Sequence, residues 1–257
     1  MTDRLNEYSL RQALRASGAE IDVRFFKTCD STNTEAKRMV ADGYGRSCLI
    51  VAESQSGGRG RLGRSFYSPL GSGVYFTLLH RVIADAADAV TLTCAAAVAA
   101  MRGILETTGV QTEIKWVNDL LRNGKKVCGI LSESVLSPTG ELYVIVGIGI
   151  NLRPIDFPEE LWEIAGSLES VSATRASVIA AVTAALMPSL LDPTSRAWHA
   201  DYVAHSCVIG RRIRWGRDGN WTAGLAKEID RNGRLLVCAD DGQSAVLDSG
   251  EITLRRF

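Results

Sequence analysis

The chain has 257 residues, 46% of them hydrophobic, with 29 Lys+Arg against 29 Asp+Glu, which is enough chain for a large domain with or without a small companion. Zero formal charge argues against a general nucleic-acid or membrane-surface binder, since neutralising phosphates calls for a basic excess or a basic arm, and neither end of the chain carries one. No 18 consecutive residues are apolar, and Asp3, Arg4 and Glu7 stand where a signal peptide needs its apolar stretch, so a cytoplasmic protein without a membrane span is expected.

Leu5 to Gly18 predicts a short helix with Leu10, Ala13 and Leu14 as its apolar side, too little for a winged-helix domain. Asp30 to Glu35 offers several helix caps ahead of Ala36, Met39 and Val40, with Gly43 as the stop. Cys48 to Glu53 is a compact apolar run and predicts a buried strand; Val74 to Leu79 predicts another. The alanine-rich segment from Ala86 to Glu106 has the length and composition of a buried helix. Ile114 to Val117 predicts a short strand. Leu120-Leu121 and Lys126 to Glu133 flank Asn123-Gly124, a type I′ hairpin signal, and Leu142 to Ile150 completes the run. Ser172 to Leu191 and Ser195 to Ala204 read as helices broken at Pro188 and Pro193. After His205 the pattern changes to short strands separated by Asp218-Gly219, Asn232-Gly233 and Asp241-Gly242, which suggests a small closed β-barrel and a boundary between residues 1–205 and 206–257.

Gly57 to Arg64 reads Gly-Gly-Arg-Gly-Arg-Leu-Gly-Arg. Glycines let the backbone wrap closely about a ligand, while Arg59, Arg61 and Arg64 offer planar forks suited to phosphate or carboxylate oxygens. The same stretch fits a solvated loop or an RNA-binding Arg-Gly segment, and composition leaves these readings open. Lys115-Trp116-Val117-Asn118-Asp119 follows, with Lys126 across the hairpin. Lysines at the edge of apolar strands usually reach back to water. If the strands line a pocket, however, the two become point charges for a polyphosphate and a carboxylate, and Asn118 and Asp119 become oxygen ligands for magnesium. Gly147-Ile-Gly-Ile-Asn151 ends an apolar strand with alternate glycines. It lacks the strand-to-helix turn of a dinucleotide fingerprint and reads as a strand allowing close ligand approach, with Asn151 able to hydrogen-bond a base edge. His80, His199 and His205 lie apart from these segments and read as structural or surface residues. Six cysteines without a C-x-x-C pair read as reduced thiols, and no fixed metal site is expected. These residue types favour electrostatic positioning of a nucleotide over nucleophilic catalysis.

Taken in order, Asp30-Ser-Thr-Asn33, Gln55 to Arg64, Lys115 to Asp119, Gly129-Ile-Leu131 and Gly147 to Asn151 resemble the biotin protein ligases, from about Phe25 to Leu152. The resemblance implies an α+β fold: a mixed β-sheet catalytic domain packed with helices, of the class II aminoacyl-tRNA synthetase-like kind, plus a small C-terminal SH3-like β-barrel. It implies that biotin and ATP with Mg2+ give biotinyl-5′-AMP, which a lysine of the biotin carboxyl carrier protein of acetyl-CoA carboxylase then attacks. By the same resemblance Ser31, Thr32, Asn33 and Gln55 surround biotin's ureido ring, Arg59, Gly60 and Arg61 close over biotin and the adenylate phosphate, and Gly129, Ile130 and Leu131 wall the biotin. Lys126 falls near the biotin carboxylate and the reacting phosphate, with Arg61 and Lys115 beside it as catalytic residues. Arg59, Arg61, Arg64, Lys115, Trp116, Asn118 and Asp119 serve ATP and its magnesium, and Asn151 faces adenine. Phe66 and Val117 depart from the family's common Trp and Pro. With about 25 residues ahead of the catalytic region, DNA binding is not expected, and a homodimer through a sheet edge is admitted. The rivals are a lipoate protein ligase of the same fold and an RNA-binding module; the glycine-arginine loop favours biotin, and neutral charge opposes RNA.

Overall fold

The structure, a computed structural model, describes residues 3–82, 88–217, 220–248 and 250–254. Helix α1 (Glu7–Ala16) opens with a capping box, in which the Asn6 side chain accepts from the Ser9 N–H and the Ser9 hydroxyl accepts from the Asn6 N–H. A strand then runs where none is expected, β1 (Asp22–Phe26); only Val23 in it is buried, so it shows neither an apolar run nor a clean alternation. Next come α2 (Thr32–Ala41), the wholly buried β2 (Cys48–Ala52) and β3 (Gly73–Arg81). Helix α3 (Ala89–Thr108) is capped by the Asp88 carboxylate, which accepts from the Val90 N–H, and stops at Gly109 with φ 71°. Ala86, its expected start, lies outside the described residues. Strand β4 (Glu113–Lys115) ends two residues short of the expected Val117, before a cis Trp116–Val117 peptide.

Strands β5 (Asp119–Arg122) and β6 (Lys125–Leu136) form the expected hairpin, with Asn123 and Gly124 at φ 52° and 75°, as a type I′ turn demands. After β7 (Leu142–Asn151) comes α4 (Arg175–Leu191), which does not break at Pro188 as expected. Pro188 lies in the last turn, where burying Leu186 and Leu190, at about 2 kcal/mol each, offsets the roughly 3 kcal/mol that a helical proline costs. Helix α5 (His199–Ala204) is shorter than expected, because Asp192 to Ser195 turn on hydrogen bonds from Thr194 to the Asp192 carboxylate. Strands β8 (Arg212–Arg217), β9 (Asn220–Ile229), β10 (Leu235–Ala239), β11 (Ser244–Leu247) and β12 (Glu251–Thr253) make an antiparallel sheet in the order β11-β10-β9-β8-β12, consistent with an SH3-like unit. Among the described residues its ladder does not close, since β11 and β12 are its two edges. Gly233 and Gly242 take φ 80° and 87° at two of the expected turns; Asp218-Gly219 lies outside the described residues. The chain between α5 and β8 is tied to the larger sheet, for the Ile114 N–H donates to the His205 carbonyl and the Cys207 N–H to the Ile114 carbonyl.

The larger sheet has the order β1-β2-β3-β7-β6-β5-β4, with β1 and β2 parallel and the remaining neighbours antiparallel. Side chains alternate between its faces. Leu49, Val51, Val74, Phe76, Leu78, Val144, Val146, Ile148 and Ile150 belong to the large core shared with α3 and α4. By length and apolarity α3 passes for a membrane span, but most of it is buried in this core. The opposite face belongs to α2, whose Ala36 and Val40 pack with Cys48, Ile50, Leu79, Tyr143 and Ile145. Further along β6 and β7 the same-face positions are Gly129, Gly147 and Gly149, and there a cleft opens.

Candidate active site

The cleft is lined from four directions: the start of α2, the loop after β2, the turn after β4, and the glycine face of β6 and β7. Gly129 stands opposite Gly149, and Gly147 opposite Leu131. Their missing side chains make room for others: a Cβ at Gly147 would meet Asn33 Oδ1 at 2.1 Å, one at Gly149 the Phe66 ring at 2.5 Å, and one at Gly129 Lys126 Cε at 2.8 Å. Alternation along β6 is reset by one extra residue, as Leu120 pairs with Cys128 and Leu121 with Lys126. Val127 and Cys128 therefore both enter the core, while Lys126 and Gly129 both border the cleft.

One end of the cleft is neutral and densely hydrogen-bonded. Ser31, Thr32 and Asn33 are all buried at the start of α2. Gln55 accepts from the Thr32 N–H at 2.9 Å and donates to the Ser68 hydroxyl at 2.9 Å, which fixes both ends of its amide. Thr77 Oγ1, in the middle of β3, lies 2.8 Å from Thr32 Oγ1 and 2.7 Å from Asn33 Oδ1. The Asn33 amide nitrogen is 2.9 Å from Glu133, which pairs with Lys37 at 2.6 Å. Sequence reading missed Thr77 and Glu133. The one available signal was Thr77 in the middle of an apolar strand; Glu133, between Ser132 and Ser134, gave none.

The other end is cationic. Lys126 pairs with Asp119 at 2.7 Å and sits 5.8 Å from the centre of the Phe66 ring. Arg61 donates to the Asn118 carboxamide oxygen at 3.1 Å, and the Asn118 nitrogen donates to the Ile130 carbonyl. Lys115 lies behind them, where burial pushes its ammonium below the ordinary value of 10.5; Asp119 opposes that shift and Lys126 reinforces it. The glycine-arginine loop folds as a small hairpin: Arg59 bridges Ser65, the Gly60 N–H donates to the Arg64 carbonyl, and Leu62 and Gly63 turn at φ 55° and 74°. Such a site can hold an uncharged polar ring at one end and screen two anions at the other.

The family model described as the biotin/lipoate A/B protein ligase family matches residues 25–151. The bifunctional ligase/repressor BirA of Bacillus subtilis is 33% identical over 251 residues, which cover 93% of this chain and 76% of that protein. This chain belongs to the biotin/lipoate protein ligase family. The biotin--[acetyl-CoA-carboxylase] ligase of Mycobacterium tuberculosis is 30% identical over 98% of each chain. Among solved structures, the biotin protein ligase from Aquifex aeolicus in complex with biotin and ATP matches with a TM-score of 0.76 at 26% identity, over 92% of this chain and 99% of that one.

Of the residues that the ligase resemblance singles out, Ser31, Thr32, Asn33, Gln55, Arg59, Gly60, Asn118, Lys126, Gly129, Ile130 and Leu131 line the cleft, and Arg61 reaches its rim through Asn118. Five others, Asp119 among them, are placed elsewhere. Trp116 is buried and donates its indole N–H to the Gly233 carbonyl at 2.8 Å, which makes it an anchor for the second sheet. Arg64 turns away to pair with Glu251 on β12. Asn151 donates to the Gly166 carbonyl, tying down the loop that follows β7. Lys115 sits outside the lining. Asn118 and Asp119 do not make a resident magnesium site, because the Asn118 oxygen accepts from Arg61 and Asp119 is paired with Lys126. Among the described residues no three His, Cys, Asp or Glu gather to hold a metal.

Proposed function

We propose that this chain is a biotin protein ligase: it joins biotin to ATP, giving biotinyl-5′-AMP and pyrophosphate, and then passes biotin to a lysine of the biotin carboxyl carrier protein of acetyl-CoA carboxylase. The observation that carries this reading is the two-ended cleft, neutral and hydrogen-bonding at Thr32, Asn33 and Gln55, cationic at Arg59, Lys126 and Arg61. A cyclic urea needs the first end. A carboxylate attacking an α-phosphate needs the second, because two anions must meet.

In this reading the ureido ring of biotin lies over Gly147, beside Thr32 and Asn33, and the valeryl chain runs along Gly129 and Gly149 towards Lys126. A carboxylate oxygen bonds to the α-phosphorus and pyrophosphate leaves with the magnesium that ATP brings. Lys126 screens both reactants, with Arg59 and Arg61 over the phosphate. The carrier lysine's neutral amine then attacks the carbonyl carbon, loses a proton, and AMP departs. The residues of the cleft supply position and charge rather than a nucleophile, and the hairpin from Gly57 to Arg64 shields the anhydride from water. We assign both half-reactions to residues 1–205, with 206–257 buttressing the site through Trp116, and place the protein in the cytoplasm, where its free cysteines and its need for ATP are at home. Duplex DNA is not a partner in this reading; the chain is formally neutral, and its first helix buries Leu10 and Leu14 in the core.

ATP–pyrophosphate exchange tests the assignment. Exchange should require biotin and fail with lipoate; exchange that is indifferent to biotin, or that lipoate supports equally well, refutes it.

A further inference from the structure

Glu133 lies outside the cleft lining, yet its hydrogen bonds set a direction within the cleft. One of its oxygens is 2.6 Å from the Lys37 ammonium and the other 2.9 Å from Asn33 Nδ2, which also donates to the Leu131 carbonyl. Carboxylate and carbonyl oxygens only accept, so the amide nitrogen of Asn33 must face them and its oxygen must face Thr77. The Thr77 hydroxyl, 2.7 Å from that oxygen, has a single proton and spends it there. Thr32 Oγ1 is 2.8 Å from Thr77 Oγ1 and 3.2 Å from Gln55 Oε1, and with the Thr77 proton already committed to Asn33 it is the Thr32 hydroxyl that donates, to one of these two oxygens and not into the cleft. Gln55 Oε1 is supplied by the Thr32 N–H at 2.9 Å. The lone pairs left on the Thr32 hydroxyl are what the cleft offers a ligand.

We propose that Glu133, held by Lys37, is a positioning residue for the ring end of the site: through Asn33 and Thr77 it makes Thr32 a hydrogen-bond acceptor, which selects ligands that present an N–H there. A cyclic urea carries that N–H; a dithiolane ring does not. The inference rests on the reading of the cleft as the biotin site. It adds to that reading a residue outside the cleft lining that sets ligand class. With an amide in place of the carboxylate, Lys37 takes the amide oxygen and the amide nitrogen faces Asn33, which then has only the 3.3 Å bond to the Leu131 carbonyl to keep it from turning over; when it turns, the Thr77 proton reverses towards Thr32, occupies a Thr32 lone pair and sends the Thr32 proton to Gln55 or into the cleft.

Steady-state exchange with biotin and ATP varied separately is the test. Glu133→Gln should raise the KM for biotin about tenfold, as expected for one lost hydrogen bond, and leave kcat and the KM for ATP within about twofold, because the ureido ring is far from the reacting atoms. The double variant Glu133→Gln/Asn33→Asp keeps one carboxylate and one amide in contact, forces the Thr77 proton back to its original direction, and should bring the KM for biotin to within about threefold of wild type. Thr77→Val, buried and of similar shape, interrupts the same relay from its middle and should raise the KM for biotin without raising that for ATP. A folded Glu133→Gln or Thr77→Val protein with the wild-type KM for biotin overturns the relay, as does a double variant no better than the single one. Biotin-independent exchange by the wild type would instead overturn the biotin reading itself, so the two failures are distinguishable.

Discussion

Replacing Lys126 with Met separates the catalytic claim from a structural one. In the folded protein the ammonium is 2.7 Å from Asp119 and its stem lies beside Gly129 and the Phe66 ring, with about a third of the side chain exposed. Methionine keeps most of the stem, so the packing on Phe66 survives. What is lost to stability is a partly buried ion pair, worth about 1 kcal/mol, or a few degrees in Tm for a protein of this size. Asp119 is not left alone, since the Lys115 ammonium acts on the same carboxylate. In the transition state the loss is larger, for no other lysine lines the cleft to screen the approach of carboxylate to phosphate. Removing a preorganised charge of this kind costs about 3 kcal/mol, and at 1.36 kcal/mol per decade that is roughly a 150-fold slower adenylation. Single-turnover formation of biotinyl-5′-AMP, read beside a thermal unfolding curve, checks both numbers. A rate within about threefold of wild type would return Lys126 to a lysine that merely reaches for water.

Three further outcomes follow from particular contacts. Gly149→Ala places a methyl 2.5 Å from the Phe66 ring; it should cost about 1–3 kcal/mol by overpacking and weaken biotin binding as the ring is pushed over the cleft, and a wild-type melting curve with wild-type biotin titration would reject the close packing. Burial alone would raise the Asp3 carboxyl, but hydrogen bonds from the Arg153 side chain and the Arg175 N–H, with both guanidiniums, bring it below 3.8; its contribution to stability is complete above the unfolded value near 3.8 and is lost as pH falls through the lower folded value. Urea unfolding between pH 5 and 2 should therefore show a shallower loss of stability in Asp3→Asn than in wild type, and equal slopes would count against the cluster. Trp116→Phe leaves the Gly233 carbonyl without its 2.8 Å donor and should cost about 1–3 kcal/mol in chemical denaturation without changing the KM for ATP; a raised KM for ATP with full stability would give the indole back to the nucleotide.

Most of the fold was readable in the sequence, because its strong elements obey one local rule each. The wholly apolar β2, the Asn123-Gly124 turn and the alanine-rich α3 could be read with no tertiary knowledge. The misses share a cause in packing. β1 is an edge strand that needs only Val23 inside, so its sequence carries little pattern. Pro188 breaks a helix only where nothing holds the flanking turns, and Leu186 and Leu190 hold them.

For the site, the line between what could and could not be read follows sheet register. Residues that touch a ligand through a loop or a helix start, such as Gln55, Arg59 and Thr32, sit in short motifs whose composition already departs from that of a core. Thr77 and Glu133 sit inside strands, Thr77 as a single polar residue among apolar neighbours and Glu133 between Ser132 and Ser134 in the polar half of its strand, and neither has a motif of its own. Their partnership exists because β3 pairs with β7 so that Thr77 meets Gly147, β7 pairs with β6 so that Gly147 meets Leu131, and Glu133 follows two residues on, on the same face. Gly147, without a side chain, lets Asn33 lie across the sheet between them. A slip of one residue in either pairing would turn Glu133 or Thr77 to the α3 face and bury a carboxylate or a hydroxyl in hydrocarbon. Register that keeps those groups out of the core is therefore the same register that assembles the polar end of the cleft, which is why Thr77 and Glu133 could be joined to the site only once the sheet order was known.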